Sequence, residues 1–315
     1  MITAQTRKPR RQKPEVTPEI NLVDLMQTYG SEDQCFECLE ELRWPDGIEC
    51  PRCECKTITR IDDRRQFHCN NCQYQFSVKS GTSLHDSHLP LFKWFLAVYM
   101  MCESKKGVSA NQVKRTIGVA YKTAWYLCHR IRDAMSKAND ERPPLDDIVE
   151  ADESFVGGKT RGMGHGYTGN KATVAVAVER NGDVRLKMIH DRTRATLHAF
   201  LDKHIADDAK AVYTDDWEAY RGVATDTMIH ETVNHSIEEW VRGDVHTNTA
   251  ESVWSLLKRS IIGAFHRVSH KHLDRYLDEL EWRFSNRRNP RLFQDTLLCL
   301  LKPGNMEYKE LISSA

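Results

Sequence analysis

The run Asp147-Ile148-Val149-Glu150-Ala151-Asp152-Glu153-Ser154 has the β-branched and apolar look of a buried strand, and Gly157-Gly158 ends it. Yet Asp152 stands near its centre, flanked by Glu150 and Glu153. Burying an ionised carboxylate is costly, and crowding several raises their pKa values unless a cation holds them ionised. Such a strand is either an exposed edge or one wall of a metal site. The carboxylates downstream bear on that choice.

After a glycine-rich connection (Gly157, Gly158, Gly162, Gly164, Gly166) comes the apolar run Ala172–Val178, an Asn181-Gly182 hairpin turn and a returning strand, Val184–Ile189. A helix is expected over Arg194–Ile205, then a strand from Ala211 to Tyr213 that ends in Thr214-Asp215-Asp216-Trp217. Three antiparallel strands, a helix and a further strand is the order of an α/β, RNase H-like fold. In that layout Asp152 lies on the first strand and Asp215 at the tip of the fourth, both facing one cleft. Side chains alternate along a strand, so only one of Asp215 and Asp216 faces it; Asp215 is favoured and Asp216 competes. A third element is His246-Thr247-Asn248-Thr249-Ala250-Glu251-Ser252-Val253-Trp254-Ser255-Leu256-Leu257-Lys258-Arg259, a helix that Asn248 or Thr247 is expected to cap. Glu251, Ser255 and Lys258 share one face, with Val253, Leu256, Leu257 and Ile261 mainly opposite. An acid with a lysine two turns along suits a metal ligand beside a phosphate contact; a solvated Glu–Lys face has the same spacing. Together Asp152, Asp215 and Glu251 offer oxygens to hard divalent ions, and two such ions about 4 Å apart serve phosphodiester chemistry. Neither a Walker-type phosphate loop nor a nucleophile-elbow motif occurs.

The other half reads differently. The formal net charge is zero and charged residues make up 29%, which excludes a uniformly basic coat. However, Lys79–Lys137 holds ten Lys/Arg against three Asp/Glu, and Trp254–Arg291 nine against four, a distribution suited to localised phosphate contacts. Ten cysteines, most of them within residues 35–72, point to metal before disulfides in a chain of cytoplasmic character. Cys50-Pro51-Arg52-Cys53 and Cys69-Asn70-Asn71-Cys72 have the four-thiolate zinc spacing, whereas Cys35, Cys38 and Cys55 lack a further pair and are read as packed or free thiols. Phe67, Tyr74 and Phe76 supply aromatic packing. An apolar helix over Leu89–Glu103 precedes a helix capped by Ser109 and ended by Gly118, then another over Ala120–Met135: a helix-turn-helix-like pattern. Tyr121, Lys122 and Thr123 open the second of these helices and are candidate DNA contacts, with Arg130 and Arg259 beside them. An ordinary helical hairpin with a basic face is the bland alternative. The expected domains are a disordered basic arm (1–18, without the character of a secretory signal), a zinc ribbon (19–78), the helix-turn-helix-like segment (79–140), the RNase H-like domain (146–290) and a tail (291–315). A helix over His270–Arg288 is expected to pack on the sheet and to expose Arg283, Arg287 and Arg288. No apolar run approaches a membrane span.

These residues resemble the bacterial zinc-ribbon insertion-sequence transposases of the DDE type, the ISXO2-like relatives of the eukaryotic Merlin elements. The resemblance is carried by Arg43–Gly47 leading into Cys50–Cys53, by Phe76–Thr82, by Val149–Glu153 with Gly157-Gly158-Lys159, by Tyr213–Asp215, by His246–Trp254 and by Asn286-Arg287-Arg288. It implies an enzyme that cuts and joins double-stranded DNA at the ends of its own element and at a target, with catalytic Mg²⁺ or Mn²⁺ and structural Zn²⁺. It implies a homo-oligomer on DNA and a nucleoid-associated, cytoplasmic location. Asp152 and Asp215 map onto the first two acids. Asn248 and Glu251 compete for the third place, Glu251 being the stronger ligand, with Lys258 seven residues on. A non-catalytic DNA-binding regulator and a nuclease that cuts without joining are the alternatives.

Overall fold

The computed structural model describes residues 19–157, 171–234 and 237–313; the basic arm and Gly158, Lys159, Gly162, Gly164 and Gly166 lie outside them. Helices α1 (Leu22–Tyr29) and α2 (Glu32–Arg43) each begin at a reciprocal capping box, Asn21 with Asp24 and Ser31 with Gln34. Three short antiparallel strands follow, β1 (Ile58–Ile61), β2 (Gln66–Cys69) and β3 (Gln75–Phe76). Trp44 meets Phe67 and Phe76 edge-on, with ring centroids 5.5 and 5.9 Å away. The Arg43 guanidinium donates to the carbonyls of Val78 (2.6 Å) and Ser80 (2.9 Å), which ties the strands to α2.

Next come α3 (Leu91–Glu103), α4 (Ala110–Ile117) and α5 (Tyr121–Asp140). The Ser109 side chain accepts from Gln112 N, and Gly118 ends α4 in the left-handed region at φ 63°, as the sequence signals imply. Helix α5 runs past the expected Met135 because Ala138 and Asn139 are still buried. The segment expected as a tail is instead a structured part of the core. Helix α9 (Leu292–Leu301) puts Phe293, Leu297, Leu300 and Leu301 into the cluster that holds Leu25, Trp44, Phe67, Phe95 and Leu127, and α10 (Tyr308–Ser313) follows. One core therefore crosses the boundaries expected at 78/79 and 290/291. A segment as short as the ribbon buries too little surface alone, and shares its neighbours'.

The remaining elements are β4 (Ile148–Val156), β5 (Ala172–Glu179), β6 (Val184–Ile189), α6 (Arg194–His204), β7 (Ala211–Asp215), β8 (Ile229–Val233), α7 (Asn248–Ser260) and α8 (Leu273–Ser285). The sheet order is β6-β5-β4-β7-β8. Strands β4, β5 and β6 pair antiparallel; β7 lies parallel to β4, and β8 parallel to β7. This is the RNase H-like arrangement. Asn181 sits at φ 63° in the expected hairpin turn. Strand β8 carries no clear sequence signal, since Ile229 and Glu231 are both exposed on a short edge. Helix α6 covers one face over Val149, Ala151, Ala175, Ala177 and Val212. Helices α7 and α8 cover the other over Val174, Val176, Val178 and Leu186.

The two halves meet through buried charge. Arg132 of α5 donates to Glu279 of α8 at 2.7 Å, with both side chains sealed from solvent. Arg283 donates to the carbonyls of Ser104 (2.8 Å) and Lys105 (2.9 Å). Arg283 is therefore a strut and not the exposed cation expected, whereas Arg287 and Arg288 are exposed. Among the described residues, no helix is long and apolar enough to cross a membrane.

Candidate active site and zinc site

Strand pairing sets the positions of the acids. In the parallel ladder of β4 with β7, Ile148 lies opposite Ala211, Val149 opposite Val212, and Glu150 opposite Tyr213. Asp152 and Asp215 each lie two residues beyond the last of these pairs, so the two-residue repeat puts them on the face of Glu150 and Tyr213. That face is the one α7 covers. Asp216 lies just past the end of β7 and accepts a hydrogen bond from Asn234 Nδ2 at 3.0 Å. Burial pushes the Asp152 carboxyl up to about 7; the Trp254 indole N–H beside it opposes this, and the negative charges of Glu153 and Asp215 add to it. Asp215 accepts from Trp217 N at 3.2 Å. Glu153 accepts from Tyr220 Oη (2.7 Å), on the turn after β7, and from Arg192 (3.2 Å), just before α6.

Helix α7 is strapped to β4 at two points. Thr247, at the N-cap, makes no side-chain cap, contrary to the expectation, and Asn248 is exposed in the first turn. The cap comes from across the sheet: Glu150 accepts from the backbone N–H groups of Thr249 (2.6 Å) and Ala250 (3.1 Å) and from the Thr249 hydroxyl (2.9 Å). One turn later the Trp254 indole donates to Asp152 Oδ2 at 2.7 Å. A carboxylate at a helix N-terminus also meets the positive end of the helix dipole. Sequence reading placed Glu150 only among the acids flanking Asp152. The available signal was its i−2 spacing, which sets both on one face.

Asn248, Glu251, Ser255 and Lys258 form one exposed stripe along α7, next to the buried stripe of Ala250, Val253, Trp254 and Leu257. The three candidate acids do not close into one tight cluster. Among the described residues, the only group of three or more acids, histidines or cysteines with ligand atoms within 4.8 Å of one another is the set Cys50, Cys53, Cys69 and Cys72. Asp152 and Asp215 nonetheless fit a divalent cation, because positive charge there relieves two carboxylates crowded on one face of the sheet.

The zinc site fits closely. Cys50 Sγ lies 3.6 Å from Cys72 Sγ, and Cys53 Sγ 3.5 Å from Cys69 Sγ. A tetrahedron with Zn–S of about 2.3 Å has edges of about 3.8 Å. Cys35 and Cys38 lie outside the set: burial lifts their thiols to about 12 and about 11, and Cys35 donates to Tyr29 O at 3.3 Å.

Of the candidate DNA contacts, Tyr121, Lys122 and Thr123 are exposed at the start of α5, and Arg259 is exposed on α7. Arg130 is not. It is buried, donates to His85 O (2.6 Å) and Asn305 Oδ1 (2.8 Å), and lies against Trp94 and Tyr126. It sits ten residues into α5, where the helix turns its face to the core.

Comparison with known proteins adds the family. The ISXO2-like transposase domain matches residues 144–285 and the transposase zinc-ribbon domain residues 30–75. An uncharacterized protein in transposable element ISH50 of Halobacterium salinarum is 31% identical over 312 residues, covering 92% of this chain and 99% of that protein. An uncharacterized transposase-like protein of Haemophilus influenzae is 29% identical over 92 residues, 29% of this chain and 72% of that one. The crystal structure of the Mos1 strand transfer complex covers 66% of this chain and 74% of its own at 12% identity, with a TM-score of 0.28; the strand order, not this likeness, carries the fold.

Proposed function

Because the chain belongs to the ISXO2-like transposase family, we propose that it cuts DNA at the ends of its element and joins the freed ends to a target, with Asp152, Asp215 and Glu251 as the acidic set. The observation that carries this reading is the shared face of Asp152 and Asp215 beneath α7. Glu251 is preferred to Asn248 as the third member because a carboxylate is the stronger ligand for a hard cation. These acids would hold Mg²⁺ or Mn²⁺, which would supply charge neutralisation at the phosphodiester. The chain's own residues do the positioning. Glu150 and Trp254 fix α7 against β4, and this reading requires the polar stripe of α7 to border the acids. Lys258 and Arg259 offer cations to the phosphates beyond them. Tyr121, Lys122 and Thr123, exposed at the start of a helix that follows a glycine turn, make in this reading the groove contacts that position the element end.

The test uses full-length protein and duplexes carrying the element's own terminal sequence, taken from the DNA flanking the gene. Asp152→Ala is expected to abolish both strand cleavage and strand-transfer products while gel-shift affinity stays near wild type. Cleavage at the normal rate by that variant refutes the assignment. Cleavage by wild type without transfer products makes the protein a nuclease instead.

A further inference from the structure

Between the start of α5 and the end of α7 lies an open groove of about 1340 Å³. Its described lining includes three permanent cations, Arg115, Lys258 and Arg267, and no aspartate or glutamate, in a chain whose formal net charge is zero. Tyr121 and Trp125 stand on the α5 side. On the other side α7 runs into a π-helical turn, Ile261–Phe265. Ile262 on that turn is 74% exposed, more than any other large apolar side chain described. The turn is anchored, since the Phe265 ring packs on Tyr276 with centroids 4.7 Å apart and lies beside the buried Arg132 guanidinium. An isoleucine is thus held out in solvent by a rare helical geometry, at the rim of a cationic groove. π-Turns of this kind are often functional.

A positive groove with aromatic faces accepts a nucleic-acid strand whose bases have left the stack. Isoleucine is among the side chains that enter between base steps and unstack them. We infer that the groove receives a DNA strand of the element end in unpaired form, with Ile262 as the wedge that unstacks its terminal bases. The inference rests on the DNA-cutting reading above and adds the state of the substrate. Phosphates of the strand meet Arg115, Lys258 and Arg267, and bases meet Trp125.

The experiment places 2-aminopurine in the terminal base pairs of the element-end duplex and adds full-length protein without magnesium or manganese. Wild type is expected to raise the fluorescence several-fold. Ile262→Ser, an exposed change, is expected to bind with the same salt dependence and leave the fluorescence at the free-duplex level. Arg267→Ala is expected to lower the slope of log K against log salt by about one. With magnesium added, Ile262→Ser cuts the paired duplex slowly but cuts one with mismatched terminal pairs at the wild-type rate. Full fluorescence rise with Ile262→Ser, or equal cutting of paired and mismatched ends by it, overturns the wedge. If wild type cuts neither duplex, the proposed function falls, and the metal-free fluorescence still decides the groove.

Discussion

A buried carboxylate is tolerable only when its oxygens are matched, and Glu150 is matched on several sides. It is fully buried, yet it caps α7 and accepts from Arg180 Nε at 2.8 Å. Arg180 in turn donates to His246 O at 3.2 Å, so the loop entering α7 is held by the same group. Removing the charge leaves the partly exposed Arg180 guanidinium without its counter-ion and weakens the acceptor for two helix N–H groups. Glu150→Gln is therefore expected to destabilise the protein by about 1–3 kcal/mol, the range for leaving buried hydrogen-bonding groups poorly matched. Urea unfolding measures this, and a loss under about 1 kcal/mol would show that α7 does not depend on the cap. The same variant should lower cleavage more than DNA affinity, because α7 carries Glu251.

Among the elements, the ribbon β1–β3 owes its shape to four thiols and a small aromatic cluster. Neither suffices alone: the strands are four, four and two residues long. Metal binding is thus part of the folding free energy of this element. The backbone N–H of Cys55 and then the Cys72 thiol draw the Cys53 thiol below the usual thiol range. Cys50→Ser is expected to lose stoichiometric zinc, to raise amide hydrogen exchange over residues 45–76, and to weaken end binding. Exchange in β4–β7 should stay unchanged. Metal analysis and exchange mass spectrometry check both halves of the statement, and full zinc content in the variant would count against the four-cysteine set.

At the scale of the whole molecule, the helical half and the sheet half are fastened by charges in a dry junction. Asp278 and Glu281 lie beside the Arg132–Glu279 pair on α8, and burial pushes their carboxyls up to about 7 and about 8. Leu186 N donates to Glu281 Oε2 at 2.9 Å, and Arg185 stands 3.9 Å from its other oxygen. A carboxyl whose folded pKa is raised contributes stability that is fully present below its unfolded value and is lost as pH rises through the folded value. The window for Glu281 is therefore roughly pH 4.5 to 8. Burial of His129 and His204 lowers their pKa values to about 2 and about 4 and tilts stability the opposite way, so the wild-type profile alone is not diagnostic. The clean quantity is the difference between proteins. Relative to wild type, Glu281→Gln should gain stability steadily as pH goes from 5 to 8, read from Tm or urea midpoints. A pH-independent difference would place the Glu281 proton equilibrium outside this window.

The linear chain determined what depends on local chemistry. Cysteine spacing marked the four thiols that cluster, Ser109 and Gly118 bounded α4, Asn181-Gly182 bent the hairpin, and apolar runs broken by Asp152 and Asp215 marked two sheet strands. Fixed spacings and backbone preferences act over a few residues, so they can be read without coordinates. Tertiary structure alone decided what depends on partners distant in sequence. The ladder of β4 with β7 brought Glu150 opposite Tyr213, two residues short of Asp152 and Asp215, and a glutamate 99 residues away took the capping role expected of Thr247 or Asn248. The cationic look of Arg130 and Arg283 concealed two struts, and a supposed tail completed the core. Charge and periodicity describe what a side chain offers; which surface covers it follows only from the packing of the whole chain.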